Sequence, residues 1–221
     1  NTIIGDLAPL FMIEKVLPRL NDLKSFCFTS QNSGITTGVL KALAKEELSK
    51  KFNLEKFRLQ LCGATLEEQD VIQFLSQTHN IKDLSLRFEN TEITDQPLEL
   101  FSTNVLPSLD KVQRFEIGLS STNITNAAVQ KLLINLPNSV TNLLVGLEKT
   151  KITNAALQEF LDTKVSTLTN LRGLELEISN TNTSNDMPDF VRKARQKVIS
   201  SILAPSGTFA ELFGKTPTFA K

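Results

Sequence analysis

Apolar residues in this chain fall into one recurring pattern. In Ile81 to Thr94, taking Ile81 as position zero, apolar side chains recur at offsets three, five and seven (Leu84, Leu86, Phe88), and another at offset twelve (Ile93) precedes a small polar residue. The template returns in Leu54, Phe57, Leu59, Leu61 and Leu66; in Val112, Phe115, Ile117, Leu119 and Ile124; and in Val140, Leu143, Val145, Leu147 and Ile152. Weaker copies start at Leu23 (Phe26, Phe28, Ile35) and Leu171 (Leu174, Leu176, Ile178). Starts at 23, 54, 81, 112, 140 and 171 are spaced by 31, 27, 31, 28 and 31 residues, long and short units alternating. A period near thirty predicts a solenoid.

Each unit opens with period-two alternation, which predicts a strand with one buried face. The pattern then changes to helical spacing behind Thr36, Thr94, Thr125 or Thr153, each suited to cap a helix, as in Val129, Leu132 and Leu133 or Leu157, Phe160 and Leu161. Strand, loop, helix and return make one coil of a right-handed α/β stack. The expected division is an N-terminal half-repeat or helical cap at 1–22, six repeats at 23–186, a capping helix at 187–203 and an extended tail at 204–221. Within 1–22, Leu7 at offset twelve and Phe11, Met12 and Val16 on a helix fit the second half of a repeat, so the chain is expected to begin inside one. A dedicated cap is the alternative.

These residues make the chain resemble the leucine-rich repeat family. The length of the units and their full helix resemble its ribonuclease-inhibitor-like subclass, in a long-strand variant similar to repeats of protist proteins. The family pattern L-x-x-L-x-L-x-x-N/C-x-L places its last leucine at offset ten, whereas here the apolar residue is at twelve. Offset nine reads Asn32, Gly63, Asn90, Ser121, Lys149 and Asn180, so no continuous asparagine ladder is expected. The resemblance implies an α/β leucine-rich repeat solenoid with parallel strands on the concave face and helices on the convex face. It also implies a protein-recognition or scaffolding surface, although the fold by itself fixes no chemistry.

Outward strand residues should form rows across the sheet. Offset two gives Ser25, Lys56, Asp83, Arg114, Asn142 and Gly173; offset four gives Cys27, Arg58, Ser85, Glu116, Leu144 and Glu175; offset six gives Thr29, Gln60, Arg87, Gly118, Gly146 and Glu177. Lys56, Arg58, Arg87 and Arg114 gather toward the first half. Glu116, Glu148, Glu175 and Glu177 gather toward the second, beside a shallow gap at Gly118 and Gly146 and the apolar Leu144. The expected partner-binding set is therefore Lys56, Arg58, Arg87, Arg114, Glu116, Leu144, Glu175 and Glu177, with charge steering a partner of opposite polarity. The bland reading is a solvated strand face whose charges satisfy one another.

At the far end, Phe190, Val191, Ala194, Val198, Ile199, Ile202 and Leu203 recur at helical spacing among basic residues, as a helix closing the core would have them. Beyond Pro205, Phe209, Phe213 and Phe219 have no repeat to bury them and are a second candidate attachment point. From Pro188 on, six basic residues face two acids, so this end carries about +4 and the repeats about −4.

The chain as a whole has 24 basic and 24 acidic residues, which offers no general attraction to nucleic acid or anionic membrane. No apolar run reaches the roughly twenty residues of a membrane span. Two cysteines, Cys27 and Cys62, and no visible secretory leader point to reduced thiols in an intracellular compartment, whether cytosol, cilium or mitochondrion. His79 is the single histidine, nucleotide-binding glycine motifs are absent and no zinc-ligand spacing occurs. The sequence reading is thus a non-catalytic interaction scaffold without cofactor or small-molecule substrate, a subunit or segment of a larger assembly that binds other proteins through its concave face and tail. A substrate-recognition adaptor, such as the repeat portion of a ubiquitin-ligase subunit, is the alternative.

Overall fold

The computed structural model describes residues 5–20, 22–32, 34–46, 54–185 and 187–203. Strands β1 (Ser25–Gln31), β2 (Lys56–Cys62), β3 (Asp83–Arg87), β4 (Arg114–Gly118), β5 (Asn142–Gly146) and β6 (Gly173–Glu177) form one parallel sheet in sequential order. Between them run the helices: α1 (Leu7–Phe11) ahead of β1, then α2 (Gly38–Glu46), α3 (Glu68–Ser76), α4 (Asp95–Leu100), α5 (Asn126–Ile134) and α6 (Ala155–Glu159), with α7 (Met187–Leu203) after β6. The sequence pattern dictates the inner face. Phe57, Leu59 and Leu61 of one unit, Leu84, Leu86 and Phe88 of the next, and Phe115, Ile117 and Leu119 of the third are all buried. Each such aliphatic or aromatic side chain contributes about 1.5–3 kcal/mol through burial. Neighbouring helices pack side by side over this layer, and α7 packs against β6, burying Met187, Val191, Ala194 and Val198.

The alternation of long and short units has a structural cause. In two of the long units the helix does not stop at its α-segment: α4 continues as a π-turn, Phe101–Val105, and a 3-10 turn, Leu106–Ser108, and α6 continues as a π-turn, Phe160–Lys164. The short units end after nine-residue helices, α3 and α5. The wider π-turn takes up the extra residues without moving the next strand out of register.

Two ladders hold successive coils together beyond the sheet. The offset-nine residues Asn32, Asn90, Ser121, Lys149, Asn180 and Gly63 all have positive φ, between 48° and 67°. In this left-handed turn the N–H of the first five along the chain points at the next coil: Asn32 N donates to Cys62 O, Gly63 N to Glu89 O, Asn90 N to Ser120 O, Ser121 N to Glu148 O and Lys149 N to Ser179 O, all at 2.8–3.0 Å. The ladder at this position is made by the backbone, which is why asparagine is not required there. One residue on, Thr91, Thr122, Thr150 and Thr181 each donate from Oγ1 to the carbonyl three residues back, at 2.6–2.8 Å, and lock the turn.

A second ladder runs along the helix starts. Asp6 accepts from Thr36 N at 2.8 Å, Asp95 from Thr125 N at 2.7 Å, Asn126 from Thr153 N at 2.9 Å and Asn154 from Ser184 N at 2.8 Å. Each first-turn carboxylate or amide thereby satisfies a backbone donor of the following coil. Of the threonines expected as caps, Thr125 accepts from Ala127 N and Thr36 from Gly38 N, both at 3.3 Å. Thr94 makes no such cap bond, and Asn154 rather than Thr153 stands at the cap position of α6.

Candidate functional site

The register of the sheet is that of the offset rows. Ser25, Lys56, Asp83, Arg114, Asn142 and Gly173 are successive partners across the six strands; so are Cys27, Arg58, Ser85, Glu116, Leu144 and Glu175, and then Thr29, Gln60, Arg87, Gly118, Gly146 and Glu177. Parallel pairing about 4.8 Å apart brings each side chain beside its row neighbours.

The charges at the centre of this surface are bound to one another. Arg114 Nε lies 3.8 Å from Asp83 and its Nη2 3.4 Å from Glu116, while Arg87 Nη1 approaches Glu116 at 3.6 Å. The strongest contact comes from a residue outside the three rows: the Glu89 carboxylate, buried at offset eight, takes Arg87 Nε at 2.6 Å. Cys62, directly before the turn of the preceding coil, donates its thiol to the other Glu89 oxygen at 2.7 Å and receives Gln60 Nε2 at 3.5 Å. Burial pushes the Cys62 thiol up to about 11, and the Glu89 hydrogen bond and charge add to the rise. Burial alone would lower the Arg87 guanidinium, but the bond and charge of Glu89, with Glu116, raise it.

This arrangement corrects one reading of the sequence. Gly118 and Gly146 do not expose strand backbone, because both are buried, and an added Cβ at Gly118 would collide with the Glu89 carboxylate. Arg87, Arg114 and Glu116, expected as partner contacts, are bound to one another and to Asp83 and Glu89. The parity that makes offsets two, four and six outward makes offset eight outward as well, so the same alternation could have placed Glu89 on this face.

Charges without an ion pair among the described residues stand on either side. Lys56 and Arg58 are exposed at the β2 end and line a hollow of about 260 Å³ with Ser25, Cys27 and Asp83. At the other end stand Glu148, two residues past β5, and Glu175 and Glu177 of β6. Burial raises the Glu177 carboxyl, and the charges of Glu148 and Glu175 raise it further. Between centre and acidic end, Arg114, Leu144 and Glu175 share a hollow of about 240 Å³. Phe209, Phe213 and Phe219 lie outside the described residues. No group of histidine, cysteine and carboxylate side chains suited to a metal occurs among the described residues, nor any helix long and apolar enough to cross a membrane.

No family model matches the chain, and no curated protein matches it at significance. Solved structures do. The actin-binding site 2 domain of leiomodin-1 superimposes with a TM-score of 0.50 at 12% identity, covering 89% of this chain and 88% of that one. The C-terminal domain of tropomodulin from Caenorhabditis elegans gives a TM-score of 0.45 at 11% identity over 89% of this chain and 94% of that one. At such identity the leiomodin likeness is one of fold, an α/β solenoid of the leucine-rich-repeat kind. It corrects the assignment to the ribonuclease-inhibitor-like subclass, because the matching architecture is that of the leiomodin domain and not of a ribonuclease-inhibitor-type long repeat.

Proposed function

We propose that this chain is a non-catalytic protein-recognition module, part of a larger intracellular assembly, whose outward strand face docks a protein of opposite polarity. The supporting observation is the distribution of charge on that face. Its central arginines and carboxylates are mutually bound, while Lys56 and Arg58 on one flank and Glu148, Glu175 and Glu177 on the other have no ion pair among the described residues. A centre of mutually bound charges between opposite open charges sets the orientation of an incoming partner more than its affinity. Residues 204–221, with Phe209, Phe213 and Phe219, serve as a second attachment point in this reading. Actin, the ligand named for the leiomodin site, is the first protein to assay, and only the shared fold brings it here.

The test is purification of the native protein at low salt, with mass spectrometry of everything in stoichiometric ratio, beside the Lys56→Glu/Arg58→Glu and Glu175→Lys variants. Loss of a stoichiometric partner in either variant, with the fold intact, supports the docking face. Unchanged partners in both would remove it. Partners that exchange and appear below stoichiometry would favour the substrate-adaptor alternative over a stable subunit.

A further inference from the structure

Of the four cations in the outward rows, two are already held: Arg87 by Glu89 and Glu116, and Arg114 by Asp83 and Glu116. Lys56 and Arg58 are exposed and have no ion pair among the described residues. Their row neighbours explain why. Asp83 is the register partner of Lys56, but its carboxylate lies with Arg114 at 3.8 Å. Ser85 is the register partner of Arg58, yet it is fully buried and its Oγ makes no hydrogen bond. On the other side β1 places Ser25 and Cys27 beside them, and neither carries a charge.

The pair also has a defined spacing. Lys56 and Arg58 are two residues apart on one strand, so alternation puts both on the same face, roughly 6.6 Å apart along β2. The outward row of β1 next to them is low, because Ser25, Cys27 and Thr29 are small, exposed side chains. Ser25, Cys27, Lys56 and Arg58 line one hollow of about 260 Å³, short side chains on one strand against long basic ones on the next. These rows lie on the face of the sheet, so a strand added beside β1 would extend them and would not cover them.

We propose, on the reading that this face docks a protein, that the Lys56 and Arg58 flank takes an extended segment of that partner with carboxylates two residues apart, laid along β2 over the low row of β1. In an extended chain residues i and i+2 share a face and the same spacing of roughly 6.6 Å, so each carboxylate meets one cation. Adjacent acids point to opposite faces, and only one of the two reaches the pair. A denser anion fits less well. Asp83 also lines the hollow, and Glu116 and Glu175 continue the row of Arg58, so a nucleic acid or a phosphate group meets carboxylates here as well as cations. Exposed charges in water attract weakly, so the segment alone binds in the millimolar range and is released by salt.

Cys27 lies in the hollow and reports its occupancy, because the other cysteine, Cys62, is buried. The experiment follows alkylation of the whole chain by N-ethylmaleimide at low salt, by intact mass, with about 5 mM of either of two cysteine-free peptides of identical composition. One has two glutamates separated by a single threonine, and the other has them adjacent. The expected result is alkylation slowed by about twofold or more by the spaced peptide and much less by the adjacent one, with the difference lost in Lys56→Gln/Arg58→Gln. Equal rates with the two peptides, or a difference that survives in the double variant, would overturn the proposal. If that variant fails to fold, the two peptides on the native chain decide. The docking face itself is judged by the stoichiometric partner. A partner lost in Lys56→Glu/Arg58→Glu, with no preference for the spaced peptide, removes the paired-carboxylate segment and leaves the docking face standing.

Discussion

Glu89 lies two residues beyond Arg87 and folds back onto it, so that Arg87 Nε donates to its carboxylate at 2.6 Å. The pair stands where β3 ends and the left-handed turn begins, and the same carboxylate covers Gly118 and accepts the Cys62 thiol. Glu89 is buried while the Arg87 side chain remains 36% exposed, so the pair is worth less than a fully buried one, but removing the acid strands two donors. Glu89→Ala should cost about 2 kcal/mol, read as a fall in the urea midpoint. Arg87→Ala combined with Glu89→Ala should cost less than the two single changes together, because the cation left alone in the first is gone in the second.

The Cys62 thiol gives a pH signature. Its ordinary value of 9.0 rises to about 11 in the fold, chiefly through burial and then through Glu89. A raised thiol means that the unfolded chain ionises first. Stability on this account is complete below about pH 9 and is lost as pH rises from there toward 11, by about 2–3 kcal/mol at the upper limit. Urea titrations at pH 8 and 10.5 should show a larger loss for the native chain than for Cys62→Ala. Alkylation at pH 8 should be far faster at exposed Cys27 than at Cys62, whose thiolate is both scarce and covered.

Glu177 has the opposite relation to neutral pH. Burial, then Glu148 and Glu175, raise its carboxyl, while Arg87 draws it down only in part. The contribution of this group is present below the unfolded carboxylate value and is lost as pH climbs through the folded one. Glu177→Gln should therefore melt about 1–2 °C higher than the native chain at pH 7, the difference closing near pH 3.5. Equal melting temperatures at pH 7 would show that the three carboxylates do not repel one another appreciably.

The strand rows were readable in the sequence because parity determines the face of every strand residue and the thirty-residue period determines its neighbours. Lys56, Arg58 and Glu175 stand where those rules put them. What escaped was the pairing of charges. Parity puts Arg87 and Glu89 on one face but does not say that the carboxylate beyond the strand end closes on the guanidinium. The offset-nine residues make no continuous asparagine ladder, yet Asn, Gly, Ser and Lys recurring at one place is the trace of a backbone conformation. The subclass is not legible in the repeat for a related reason, since unit length reports the size of a coil and not which solved architecture it follows.

Lys149 is the most unfavourable occupant of that left-handed position, with φ at 55° and a side chain exposed to solvent. A non-glycine residue there costs about 1 kcal/mol relative to glycine, asparagine less. What the site needs is the N–H, which donates to Ser179 O at 3.0 Å. Lys149→Gly should therefore stabilise the protein by about 0.5–1 kcal/mol and Lys149→Asn by somewhat less, while Lys149→Ala gains nothing. Lys149→Pro, which fixes φ near −65° and removes the donor, should cost about 3 kcal/mol or more. Thermal unfolding of the four variants separates the two accounts of the ladder. A backbone ladder ranks glycine above asparagine, whereas a ladder of side-chain hydrogen bonds would reverse them.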